Sequence, residues 1–175
     1  MNTNEIFPLE KVLLCACKKY LSNQKNGILL VEPKLKDDEK LYYKFYETEF
    51  EVNCFCQIYI IKDETIDNFI DKKFSIKETK YFLVGGFDGE KGIGVINLYK
   101  LNYDVKNSHI NIEFISEVEF SNLNNNNSND FNRFSELNSI KCIIQSKQTG
   151  NILICSSDSD DGNIYSFKFI CEESS

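Results

Sequence analysis

Two cysteine pairs, Cys15-Ala16-Cys17 and Cys54-Phe55-Cys56, supply four sulfurs, enough on paper for a tetrahedral thiolate metal site. Zinc sites more often leave two to four residues between paired cysteines. With one intervening residue in an extended chain, both sulfurs fall on one face. For the second pair, alternation puts Val52 and Ile58 on that same face. The pairs therefore read as small core residues. Asp158-Ser159-Asp160-Asp161-Gly162 opens like a calcium loop. An EF-hand needs an oxygen ligand at its fifth position and a Glu at its twelfth, where this chain has Gly162 and Phe169. The segment reads instead as a hairpin turn. Gly85, Gly86, Gly89, Gly92 and Gly94 lack the Gly-Lys-Ser/Thr of a phosphate loop and join strand to strand, so they read as turn residues. The only histidine, His109, sits in the polar stretch Lys106-Asn107-Ser108-His109 and is expected to be a solvated loop residue. No Asp or Glu pair stands out as acid and base. No catalytic residue, metal ligand or cofactor is expected, and the chain reads as a non-enzyme.

The elements that hold these residues repeat. One copy runs Val52-Asn53-Cys54-Phe55-Cys56-Gln57, then Phe82 to Gly89, then Gly94-Val95-Ile96-Asn97-Leu98-Tyr99. A second runs Ile140-Lys141-Cys142-Ile143-Ile144-Gln145, then Ile152 to Asp158, then Gly162-Asn163-Ile164-Tyr165-Ser166-Phe167. A partial third opens the chain with Val12 to Cys17 and Gly27 to Val31. Each first element alternates with period two, which means strand. Asp88 and Gly89, or Asp158 and Gly162, supply the tight reversal after the second strand. Leu41 to Glu47 and Ile112 to Phe120 add a fourth strand to two copies.

Gly27, Gly94 and Gly162 recur at near-equal spacing, longer than the ~40–50 residues of a propeller repeat. The surplus lies in two insertions, about 62–80 and about 121–138. In the first, Ile66, Phe69, Ile70 and Phe74 fall at helical spacing and predict a short amphipathic helix over 63–74, a candidate partner-docking element. The second contains Asn124-Asn125-Asn126-Asn127 in a polar stretch and reads as an inserted loop.

With 42% hydrophobic and 13% aromatic residues, the 175-residue chain can bury a core as one domain. A net charge of -7 argues against direct contact with nucleic acid or an anionic membrane, both of which need a clustered basic surface. No apolar run reaches the roughly 20 residues that span a bilayer, and the start Met1-Asn2-Thr3-Asn4-Glu5 shows no signal peptide. Seven cysteines then suit a reducing, intracellular compartment.

In the order of these elements the chain resembles the WD-repeat family of β-propellers. The likeness rests on a first strand with small buried residues, a second ending in Gly or Ser plus Asp, a Gly-containing turn, and a third ending in an aromatic. It covers roughly Val12 to Phe169. Gly94 to Lys100 and Gly162 to Lys168 stand where the family has its Gly…Trp-Asp segment, with Tyr99 and Phe167 for Trp and Lys100 and Lys168 for Asp. Asp88 and Asp158 stand near the family's turn aspartate. The resemblance implies an all-β chain of antiparallel four-stranded meander blades, about 12–47, 50–120 and 139–170. These make about two and a half blades, where closed propellers have about 4–8. The expected gaps are a first strand before Val12 and a fourth after Phe169, which leaves sheet edges for another chain or for missing blades. The function implied is a protein-interaction scaffold in an intracellular complex, with unidentified protein partners. Two other readings stay open. Leu14 to Tyr20 and Gly27 to Val31 also resemble the opening blade of diphthine methylesterases, WD-repeat hydrolases of which this would be the N-terminal part. In the other, the chain is a fragment of one of the large multi-propeller subunits of RNA-processing and DNA-damage complexes.

Overall fold

Alternating β-branched, aromatic and polar residues favour extended chain, and every element that the computed structural model describes is a strand. It describes residues 2–9, 12–20, 25–33, 41–64, 73–104, 109–118, 139–157 and 163–168. Among these residues eleven strands follow one another: β1 (Asn2–Leu9), β2 (Val12–Tyr20), β3 (Lys25–Glu32), β4 (Tyr42–Glu47), β5 (Glu51–Glu64), β6 (Lys73–Asp88), β7 (Ile93–Asp104), β8 (His109–Glu117), β9 (Ile140–Gln145), β10 (Asn151–Ser156) and β11 (Asn163–Lys168). They form three open antiparallel meanders in chain order: β1-β2-β3-β4, β5-β6-β7-β8 and β9-β10-β11. The chain is all-β, and among the described residues no helix is long and apolar enough to cross a membrane.

The sheets stack face to face with the second in the middle. Val12, Leu14, Ala16, Ile28 and Leu30 of the first sheet meet Val52, Phe55, Phe82, Val84, Val95 and Tyr99 of the second. On its other face the second sheet presents Cys54, Cys56, Ile58, Leu83 and Ile96 to Ile140, Ile143, Ile152 and Ile154 of the third. Phe82, Leu14, Ile28, Leu30 and Ile154 are fully buried, each worth about 1.5–3 kcal/mol over the exposed state.

Five sequence expectations change. The first sheet has the strand thought missing: β1 pairs with β2 from Asn2↔Lys18 to Leu9↔Val12. Its sequence shows no alternation, and as an edge strand it tolerates Pro8, which has no N–H to give. The segment 62–80 is not wholly an insertion, because β5 runs to Glu64 and β6 starts at Lys73, with Asp63 paired to Phe74. Continued backbone pairing there overrides the helical spacing at both ends of the expected helix. Ile66, Phe69 and Ile70 lie outside the described residues, as does the Asn124–Asn127 tract. Val52 does not share a face with Cys54 and Cys56, because the ladder shifts between Val52↔Gly86 and Cys54↔Gly85. This bulge at Asn53 reverses the alternation. Gly85 and Gly86 lie within β6 rather than in a turn, which occupies residues 89–92. His109 opens β8 and stacks on Tyr42, with ring centroids 3.6 Å apart, instead of lying in a solvated loop.

Candidate interaction site

Side-chain hydrogen bonds fix how the sheets meet. At the first junction, Glu32 Oε1 accepts from the Ile110 N–H at 2.6 Å, and Tyr46 Oη accepts from the Ile112 N–H at 3.0 Å. These two N–H groups belong to the edge strand β8, so part of that edge is satisfied within the chain. Tyr46 Oη also donates to Asn111 Oδ1 at 3.1 Å, and Glu32 Oε2 lies 3.3 Å from His109 Nδ1. Burial pushes the Tyr46 hydroxyl pKa up. At the second junction, Asn53 Nδ2 donates to Ser139 Oγ at 2.8 Å and to the Ile140 carbonyl at 3.0 Å. Gln145 acts as a short strand: Oε1 accepts from the Tyr59 N–H at 2.6 Å and Nε2 donates to the Tyr59 carbonyl at 3.0 Å. Sequence reading missed these four residues, Glu32, Tyr46, Asn53 and Gln145. The available signal was a polar residue inside a strand or closing it, as Asn53 is in β5 and Gln145 in β9.

Of the residues singled out in the sequence, Asp88 ends β6 and is buried. Its Oδ1 accepts from the backbone N–H groups of Glu90 at 3.0 Å and Lys91 at 3.1 Å, and its Oδ2 lies 3.2 Å from Lys91 Nζ. The Lys91 backbone N–H does most to hold the Asp88 carboxyl below its usual range. Gly89 lies in the turn, and Gly94 is buried in β7 opposite Phe87. Gly92 takes a left-handed φ of 70°, which glycine adopts without strain. Phe74 is in β6; Asp158 and Gly162 are outside the described residues. The two cysteine pairs are not brought together. Cys15 and Cys17 pack with Leu29 on the first sheet's outer face, while Cys54 and Cys56 face the third sheet. Burial raises the Cys15 and Cys17 thiols and pushes Cys56 to about 11, which keeps it protonated and a poor metal ligand near neutrality.

The feature most suited to recognition is the outer face of the third sheet. Aligned on the repeat, Cys54, Cys56, Leu83 and Ile96 of the second sheet correspond to Cys142, Ile144, Leu153 and Ile164 of the third. In the second sheet these positions face the next sheet, with Cys56 6%, Leu83 1% and Ile96 3% exposed. In the third, Ile144 is 54%, Leu153 36% and Ile164 71% exposed. They are adjacent: Ile144 pairs with Leu153, Cys142 with Cys155, and Cys155 with Ile164. One apolar patch thus crosses three strands.

Comparison with protein-family models, curated proteins and solved structures gives no match.

Proposed function

We propose that the chain is a non-catalytic protein-interaction module of WD-repeat type, part of an intracellular β-propeller-like assembly. Three consecutive meanders stacked in chain order support the propeller reading. The single observation that carries the function is the exposed patch of Ile144, Leu153 and Ile164 at positions where the preceding sheet binds its neighbour. An apolar sheet face of this kind is covered by another sheet. The partner is a protein chain that supplies an antiparallel sheet with an aliphatic inner face like that of Ile140, Ile143, Ile152 and Ile154. Fold alone is a weak warrant for function, so the reading rests on the patch.

The test is sedimentation of the purified chain over a concentration series, beside a variant carrying Ile144→Thr, Leu153→Thr and Ile164→Thr. The native chain is expected to associate, and the variant to stay monomeric with an unchanged circular dichroism spectrum. A native monomer at high concentration with slow amide exchange throughout β9 and β11 overturns the reading.

A further inference from the structure

Among the described residues, Cys142 and Cys155 are the one pair of cysteines that a ladder sets face to face. The cysteines of the two Cys-x-Cys pairs oppose other residue types. Cys15 meets Ile6 and Leu29, Cys17 meets Thr3 and Gly27, Cys54 meets Gly85, and Cys56 meets Leu83. Within each Cys-x-Cys pair the Cα atoms are about 6.6 Å apart along the strand, near the upper limit of ~6.8 Å for a disulfide. Those four cysteines are buried, whereas Cys142 and Cys155 are half-buried. The half-buried pair lies in the outer patch with Ile144, Leu153 and Ile164.

The ladder fixes their separation. The Ser146 N–H donates to the Asn151 carbonyl at 2.8 Å, just beyond the end of β9. Hydrogen-bonded pairs recur at every second position of an antiparallel ladder. Ile144 with Leu153 and Cys142 with Cys155 are therefore such pairs, with Cα atoms about 5.5 Å apart. That is within the commonest separation in disulfides, about 5.5–6 Å. The second sheet shows where the side chains lie. Its first strand carries a bulge at Asn53, between Val52↔Gly86 and Cys54↔Gly85. The third sheet carries the same bulge at Lys141, between Ile140↔Ser156 and Cys142↔Cys155. Cys142 thus matches Cys54, and Cys155 matches Gly85. A Cβ at Gly85 would lie 2.8 Å from Cys54 Sγ. Across an S–S bond of about 2.05 Å, a sulfur lies about 3 Å from its partner's Cβ. Gly85 leaves room for Ile140 and Ile143 of the next sheet; in the third sheet a cysteine takes its place.

We propose that Cys142 and Cys155 form a thiol-oxidation site, which a low-molecular-weight disulfide closes to a reversible cross-strand bridge. The thiolate of one cysteine attacks a sulfur of the oxidant and expels one small thiol. The thiolate of the other then attacks the protein sulfur of the mixed disulfide and expels the second. The protein thiols together lose two protons and two electrons, and the oxidant is reduced to two small thiols. Burial raises the Cys15, Cys17 and Cys56 thiols. Their thiolate fraction falls, so the oxidant is directed to the half-buried pair. A bridge at the surface is open to small thiols, which makes it labile rather than a permanent staple. The site does not depend on the docking role of the patch. Oxidation changes the surface that a docked sheet meets.

The experiment is oxidation of the reduced full chain with glutathione disulfide, read by intact mass and by peptide mapping without reduction. A single chain lighter by two hydrogen atoms is expected, with one bridge joining the peptides of Cys142 and Cys155. Cys15, Cys17, Cys54 and Cys56 should remain thiols. Excess reduced glutathione should restore the starting mass. Cys155→Ser should lose the bridge and hold glutathione on Cys142, and Cys142→Ser should hold it on Cys155. Cys171→Ser, at a position outside the described residues, should keep the bridge. Four results overturn the proposal: no reaction at either cysteine, glutathione on both without a bridge, a bridge between chains, or a bridge that uses Cys171.

Discussion

Replacing Gly85 by Ala should weaken the junction between the second and third sheets specifically. A Cβ at Gly85 would lie 2.7 Å from Ile140 Cγ2, 2.8 Å from Cys54 Sγ and 2.8 Å from Ile143 Cδ1. Real Cβ atoms do not tolerate such contacts, so something must move. The obstacles cannot swing aside: Ile140 is 0% and Ile143 3% exposed, and β-branched side chains are stiff at χ1. Overpacking of this kind costs about 1–3 kcal/mol. Against it, Gly→Ala restricts the unfolded chain, a gain of about 0.4–1 kcal/mol. Overpacking wins, and the net loss is about 1–2 kcal/mol. Urea denaturation gives the total, and amide exchange gives the place: β9 should exchange faster while β2 and β3 do not. Gly89→Ala is the control, since its nearest atom would be Phe87 Cε1 at 3.9 Å, an ordinary contact. Gly86→Ala should be worse than Gly85→Ala because its Cβ would meet the Glu51 carbonyl, which is backbone and cannot yield. A Gly85→Ala protein as stable as the native chain, with β9 exchange unchanged, would refute the packing scheme of the second junction.

Asp88→Ala removes two backbone hydrogen bonds at the β6–β7 turn and should cost about 0.5–2 kcal/mol, as loss of a capping carboxylate does. Because the folded carboxyl titrates below its ordinary 3.8, this stabilisation is present above that value and lost as pH falls through the lower folded one. Native and variant urea curves should therefore converge in strong acid. The Cys56 thiol, raised by burial from 9.0 to about 11, has the opposite sign. Its contribution is full below pH 9 and disappears as pH rises towards 11, so alkaline melting curves should flatten in Cys56→Ala. His109→Ala loses the Tyr42 stack, worth about 0.5–1.5 kcal/mol, and should speed amide exchange at Ile110 and Ile112. His109→Phe should restore the stacking part, which thermal melts of the two variants would separate.

The strands were legible wherever one face is buried and the other wet. Ile152, Ile154 and Ser156 of β10 are buried while Leu153 and Cys155 between them are more exposed, a period of two. In β9 a shift of the ladder breaks it, so that Ile140 and Ile143 share the buried face and Ile144, expected on the face of Ile140, is exposed. The period also fails where a strand lies at an edge, as β1 does, or runs on as a hairpin beyond its neighbours, as β5 and β6 do at Asp63 and Phe74. In those places backbone pairing, which has no side-chain signature, sets the structure. The glycines misled for a related reason. Gly85 and Gly86 look like turn residues, yet their lack of Cβ serves the close approach of a second layer, visible only once Ile140 and Phe50 are in place.

The sequence alone determined that the chain is all-β, that its strands come in repeated antiparallel meanders, and that its paired cysteines are apolar. Those properties follow from local periodicity and from chemistry within a few residues. Only the tertiary structure decided which face each strand turns to which sheet. One extra residue at Asn53 reverses the alternation between Val52 and Cys54, and no local rule places such a bulge. Tertiary structure also set equivalent repeat positions apart. Leu83 is 1% exposed because a third sheet lies over it, and Leu153 is 36% exposed on that sheet's outer face. The two leucines are the same residue type in the same pattern. What separates them is whether another sheet packs on that face, a contact that no single repeat contains.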